Sequence, residues 1–121
     1  MEKTYGKCEW LIADAFWDSH SNGIYPSHEA VCVLNCGDID AKLEFTLYFE
    51  DREPMTGFTA LCGARRTHHV RMDKLVAADG STVPIDVPYA ILLKSSVPVV
   101  AQYSRLDSAQ AEMTLMTTIA Y

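Results

Sequence analysis

Between Ala41 and Glu50 the apolar residues fall on every second position. Leu43, Phe45, Leu47 and Phe49 point to one side of an extended chain. Lys42, Glu44, Thr46, Tyr48 and Glu50 point to the other. A helix would scatter the same four apolar side chains around its circumference. The segment is therefore a strand with one buried and one wetter face. Further strands are expected at Cys8–Phe16, Glu29–Asn35, Thr59–Cys62, Thr67–Met72, Tyr89–Ser95, Val97–Tyr103 and Met113–Tyr121. Turn residues separate them at Ser21-Asn22-Gly23, Cys36-Gly37-Asp38, Glu53-Pro54, Thr56-Gly57 and Asp79-Gly80-Ser81. About eight short strands with such punctuation predict an all-β fold, a single jelly-roll-like antiparallel β-sandwich. Pro98 is expected at a strand start or sheet edge. Asp107 and Ser108 are suited to cap a helical turn within Arg105–Ala111.

The chain of 121 residues has the length of one domain, and no repeat, linker or low-complexity stretch divides residues 1–121. With 49% hydrophobic residues it can bury a core without disulfide or metal staples. No apolar run approaches the ~18 residues of a membrane span. The opening Met1-Glu2-Lys3-Thr4-Tyr5 lacks the apolar stretch of an export signal, so a cytoplasmic location is expected. Cys8, Cys32, Cys36 and Cys62 are then expected as free thiols, with Cys8, Cys32 and Cys62 buried among small or apolar neighbours. The net charge of −6 argues against bulk attraction to nucleic acid or anionic membranes.

Against that acidic background, Ala64 to Lys74 is a local positive island. It holds four of the ten Lys and Arg residues and two of the four histidines. On a strand, Thr67, His69 and Arg71 share one face and His68, Val70 and Met72 the other. Arg65, Arg66, His69 and Arg71 are candidates for binding an anion or a polyol, because guanidinium forks pair with carboxylate, phosphate or vicinal hydroxyls. The alternative is a solvated strand face whose arginines pair with nearby carboxylates.

A second polar stretch, Gln102 to Glu112, contributes Arg105, Asp107 and Gln110 where a strand ends, the kind of place where binding groups collect on a rigid sandwich. An internal Arg105–Asp107 or Arg105–Glu112 network is the structural alternative. His28 and Glu29 form a third candidate pair. With His69 they lack the His-x-His spacing of a cupin-type metal centre, so no metal and no cofactor is expected. Trp10, Trp17, Tyr25 and Tyr48 can stack on a sugar face or serve as core. The nucleophile elbow, the Walker loop and the dinucleotide-binding glycine pattern are all missing, so an enzyme is not expected.

The chain resembles the sensory rhodopsin transducer family, proteins named for the partner of a cyanobacterial sensory rhodopsin. The resemblance runs from about Cys8 to Tyr121. It rests on Ser27-His28-Glu29-Ala30-Val31-Cys32-Val33-Leu34-Asn35 with Gly37-Asp38, and on Ala64-Arg65-Arg66-Thr67 with His69-Val70-Arg71. Arg105-Leu106-Asp107-Ser108 with Gln110-Ala111-Glu112, and Thr118-Ile119-Ala120-Tyr121, complete it. It implies a jelly-roll-like sandwich that assembles as a homotetramer, has no catalytic activity and binds small molecules such as sugars. It also implies a signalling partner and, for one member, contact with DNA.

The expected function is a cytoplasmic, non-catalytic binding domain for a small polar ligand (a sugar, sugar acid or other metabolite) or a signalling partner. One alternative is a protein-interaction adaptor that docks on a membrane photoreceptor or other receptor. A third reading is a metal-dependent cupin-like enzyme. Nucleic-acid contact through the Arg65 to Lys74 island would be weak and would collapse with salt.

Overall fold

The computed structural model describes residues 3–110 and 112–121. Seven strands form: β1 Lys7–Ala15, β2 His28–Asn35, β3 Ala41–Phe49, β4 Met55–Cys62, β5 Arg66–Arg71, β6 Tyr89–Asp107 and β7 Thr114–Ile119. All pairings are antiparallel. The result is the expected all-β sandwich.

Its organising element is β6, 19 residues long, which belongs to both layers. Its first half, from Tyr89 to Ser95, lies between β3 and β1. Its second half, from Val100 to Asp107, lies between β2 and β7. One layer is therefore β4-β3-β6-β1 and the other β5-β2-β6-β7. Two strands were expected over this stretch. They are one because Pro98 sits where β6 passes from one layer to the other, and there a residue without an N–H leaves no ladder bond unmade. Gly6 marks the same crossing. A Cβ on Gly6 would lie 2.0 Å from the Val99 carbonyl oxygen, so only glycine fits.

Alternation works as expected along β3: Leu43, Phe45 and Leu47 are buried and Lys42, Glu44 and Tyr48 exposed. They pack with Ile12, Val31, Val33, Phe58, Val70, Ile91, Leu93 and Tyr103 into one core between the layers. Burial of this apolar surface drives folding at about 25 cal/mol per Å².

Four details depart from expectation. First, β4 begins at Met55, because Thr56-Gly57 continues the strand instead of turning it. Second, Met72 leaves the β5 plane for a short 3-10 turn, Met72–Lys74, and stays buried there. Third, no helical turn forms at residues 105–110, since β6 runs on through Asp107; Ala111 lies outside the described residues. Fourth, Cys8 is exposed and Cys32 only half-buried, leaving Cys62 the one buried thiol. A register shift between Lys7 and Glu9 disrupts the alternation at Cys8. All four thiols are free.

The two outer faces differ. On the β4-β3-β6-β1 layer, cross-strand partners place Glu44, Lys94 and Glu9 in one row of alternating charge. On the other layer the rows read Arg71–Ala30–Ser104–Thr117 and His69–Cys32–Gln102–Ile119. Arg71 is the single full charge in these two rows.

Candidate functional site

Arg105 shares the inward parity of Tyr103 on β6 and lies opposite Glu29 in the β2–β6 ladder. It lines a cleft of about 330 Å³ at one end of the sandwich, together with Asp14, Phe16, Asp18, His28, Pro88, Leu106 and Asp107. The connection that carries Phe16 and Asp18 is fastened by two buried serines. The Ser27 hydroxyl donates to the His20 carbonyl at 2.7 Å, the Ser108 N–H donates to Ser27 Oγ at 2.9 Å, and the Ser108 hydroxyl donates to the Tyr25 carbonyl at 2.5 Å. His28 Nδ1 lies 2.9 Å from the Pro26 carbonyl, and Asp107 Oδ1 accepts the Ala109 N–H at 2.9 Å. These contacts shape a preformed hollow, the usual condition of a small-molecule site.

Glu29 stands directly behind this cleft and is fully buried. Its carboxyl accepts hydrogen bonds from the hydroxyls of Tyr89 and Tyr103 and from the Phe16 N–H at 3.1 Å. Burial pushes the Glu29 carboxyl above its ordinary range. The three hydrogen bonds and the Arg105 charge pull it back in part. Burial and the neighbouring carboxylate push both tyrosine hydroxyls upward as well. Tyr89 belongs to the first half of β6 and Tyr103 to the second, so one carboxyl ties both layers together.

The β5 island is placed elsewhere. Arg65 Nε donates to Asp38 Oδ1 at 2.8 Å, and both side chains are exposed. Arg71 makes two parallel bonds to Asp73, each 2.8 Å. Arg66 turns back to the carbonyls of Ala64 at 3.4 Å and Arg65 at 3.1 Å. His69 is exposed on the outer face of β5, and Gln110 is exposed and donates to the Glu112 carbonyl at 3.4 Å. Arg65 does border a larger hollow, about 440 Å³, with Cys36, Gly37, Asp38 and the Lys3-Thr4-Tyr5 segment. Its guanidinium is already engaged by Asp38 there, and the Lys3 ammonium lies 5.1 Å from the centre of the Tyr5 ring. Among the described residues no carboxylate lies within 4.0 Å of the Arg105 guanidinium. The internal Arg105–Asp107 pair does not form.

Of the nine candidate residues, the structure brings Arg105, His28 and Asp107 together around one cleft, with Glu29 at its back. Arg65, Arg66, His69 and Arg71 lie on the far side of β2 or beyond its end. Glu29 points inward and His69 outward, so with His28 they form no metal centre. Asp18, His20 and Asp86 do converge, with ligand atoms within 4.8 Å of one another. That set is satisfied internally: His20 Nδ1 is 3.0 Å from Asp18, and Asp86 accepts the Ser19 N–H at 2.8 Å. Of the aromatic candidates, Tyr48 lines an adjoining hollow that shares Asp14 and Pro88 with the cleft. Trp10 and Trp17 pack against the core.

The sequence reading missed Asp14, Phe16, Asp18 and the two tyrosines. Parity could have found the tyrosine cluster, since Glu29 shares the side of Val31 and Val33 and needs donors there.

Fold and cleft together define a β-sandwich with a charged hollow at the end of a strand common to both layers. A family model described as Anabaena sensory rhodopsin transducer matches residues 5–121, and the chain belongs to that family. The structure titled Anabaena sensory rhodopsin transducer is 39% identical, with a TM-score of 0.74, over 84% of this chain and 99% of that one. The crystal structure of Thermotoga maritima 1070 is 37% identical, with a TM-score of 0.85, over 96% and 94%. No curated protein matches the chain significantly. Among the described residues no helix is long and apolar enough to cross a membrane.

Proposed function

We propose that this transducer-family protein is a non-catalytic binding domain that takes a small polyhydroxylated ligand, a sugar or sugar acid, in the Arg105 cleft. The observation that carries this reading is the Arg105 guanidinium, which lines the cleft without a carboxylate in contact. Arginine offers a planar fork for a carboxylate or paired hydroxyls. Asp14, Asp18 and Asp107 offer acceptors for hydroxyls, and Phe16 an apolar surface. Thermal shift with glucose, gluconate, glucuronate and phosphate tests it. At least one sugar or sugar acid raises the midpoint of the natural protein, and Arg105→Gln abolishes the rise. No response to any of them, or an undiminished response in the variant, removes the reading.

The protein works as a homo-oligomer, a tetramer by analogy with the family, or docks on a signalling partner. Support comes from the outer face of the β5-β2-β6-β7 layer, where Leu34, Leu115 and Ile119 are 43%, 72% and 78% exposed with almost no charge around them. Such a face is suited to being covered. Light scattering on Ile119→Lys gives a lower mass than the natural protein; a monomeric natural protein, or equal masses above the monomer, count against self-association through this face.

A further inference from the structure

The buried carboxyl behind the cleft has a geometry that bears on the ligand's charge. Every hydrogen-bonding group in contact with Glu29 donates to it: the Tyr89 and Tyr103 hydroxyls from β6 and the Phe16 N–H from the β1–β2 connection. The site is thus shaped for an ionised carboxylate, although it lies out of reach of water. The one cation whose field reaches it is Arg105, its ladder partner. Arg105 and Phe16 both line the cleft, so two of the groups that hold the Glu29 charge also face the ligand.

We propose that Glu29 is the buried counter-charge of the cleft, so that a ligand carboxylate which takes up the Arg105 charge draws one proton from solvent onto Glu29. The proposal rests on the cleft being a ligand site, and it names the regulation of that site. A guanidinium paired with a ligand carboxylate no longer compensates a second carboxylate behind it, and an uncompensated buried charge is neutralised by protonation. Coupling is reciprocal, so acidification strengthens binding of sugar acids and leaves neutral sugars unaffected. One linked proton limits the effect to about tenfold in affinity per pH unit. The tyrosine hydroxyls do not compete for this proton, because burial and the adjacent carboxylate hold them protonated. Asp14 on β1, Asp18 on the β1–β2 connection, His28 on β2 and Asp107 on β6 also face the cleft. A Glu29→Gln variant separates their titration from that of Glu29.

The test has two arms on the full chain. In the first, carboxyl carbon NMR follows Glu29 through a pH titration in the natural protein, Arg105→Gln and Arg105→Lys. Glu29 titrates at higher pH in R105Q and near its natural midpoint in R105K. An unmoved Glu29 in R105Q overturns the coupling whether or not any ligand binds. In the second arm, calorimetry with glucuronate and with glucose is run in two buffers of different ionisation enthalpy, at the Glu29 midpoint found in the first arm, where the carboxylate is half ionised. Glucuronate takes up a proton on binding the natural protein; glucose does not, and neither does glucuronate with E29Q. Glucuronate binding to the natural protein without proton uptake overturns the proposal and needs no variant to fold. If R105Q shifts Glu29 but neither compound binds, the charge coupling stands and the sugar reading of the cleft falls.

Discussion

Arg71 and Arg105 flank the same strand, β2, and meet opposite fates. Arg71 finds Asp73 two residues along its own chain and closes two hydrogen bonds with it, half in water. Arg105 has no carboxylate in contact. Its counter-charge is Glu29, out of solvent and already saturated by two hydroxyls and an N–H. A guanidinium that meets its acid locally is a fastening, whereas one whose acid is occupied by other donors keeps its fork free for something else. Arg65 and Arg71 thus fasten a structural edge through Asp38 and Asp73, while Arg105 near the end of β6 lines the proposed ligand cleft.

The sharpest way to break this contrast is to remove the two acids in turn. Glu29→Ala strands two tyrosine hydroxyl donors inside the sandwich and leaves the Phe16 N–H only its longer bond, 3.4 Å, to the Tyr103 hydroxyl oxygen. Each unsatisfied buried donor costs ~1–3 kcal/mol, so a loss of about 3 kcal/mol or more is expected from denaturant unfolding. Arg71→Ala removes a half-exposed ion pair and is expected to cost about 0.5–1 kcal/mol. Equal losses in the two variants would erase the distinction between fastening and counter-charge. The pH dependence has a definite sign. Burial holds the Glu29 carboxyl above its ordinary range in the folded chain, so the folded state gains from protonating it. Relative to Glu29→Gln, the natural protein is therefore most stable below the ordinary carboxylate range and loses ground as pH rises through the folded-state midpoint. A gap between the two that is flat with pH would show that Glu29 carries no such linkage.

The strands were legible because half-buried sheets write themselves as alternation, and Leu43, Phe45 and Leu47 leave no other reading. The unity of β6 was not legible. A proline inside an apolar run normally signals a boundary, and only the handover between layers makes Pro98 harmless in mid-strand. The arginine-rich stretch was visible as charge, but which arginine keeps a free fork depends on where Asp38 and Asp73 come to lie, and spacing alone does not give that. Glu29 was named as a candidate for its position in a polar motif. Its partners were hidden because Tyr89 and Tyr103 sit in runs that read as core, and they become polar neighbours only when the long strand bends over β2.

The finest test lies at Arg65, which holds a left-handed backbone, φ +55°, while its side chain pairs with Asp38 in open water. Two small effects oppose each other there. A side chain in this conformation carries a strain that glycine escapes, and the exposed ion pair returns little. Arg65→Ala keeps the strain and loses the pair, so it lowers stability slightly. Arg65→Gly loses the same pair and sheds the strain, at the cost of a freer unfolded chain. Glycine is therefore expected to come out above alanine by about 0.5–1 kcal/mol in thermal unfolding. Alanine matching the natural protein while glycine falls below both would mean that the Arg65 backbone is unstrained. The β5 edge would then owe its shape to something other than this turn.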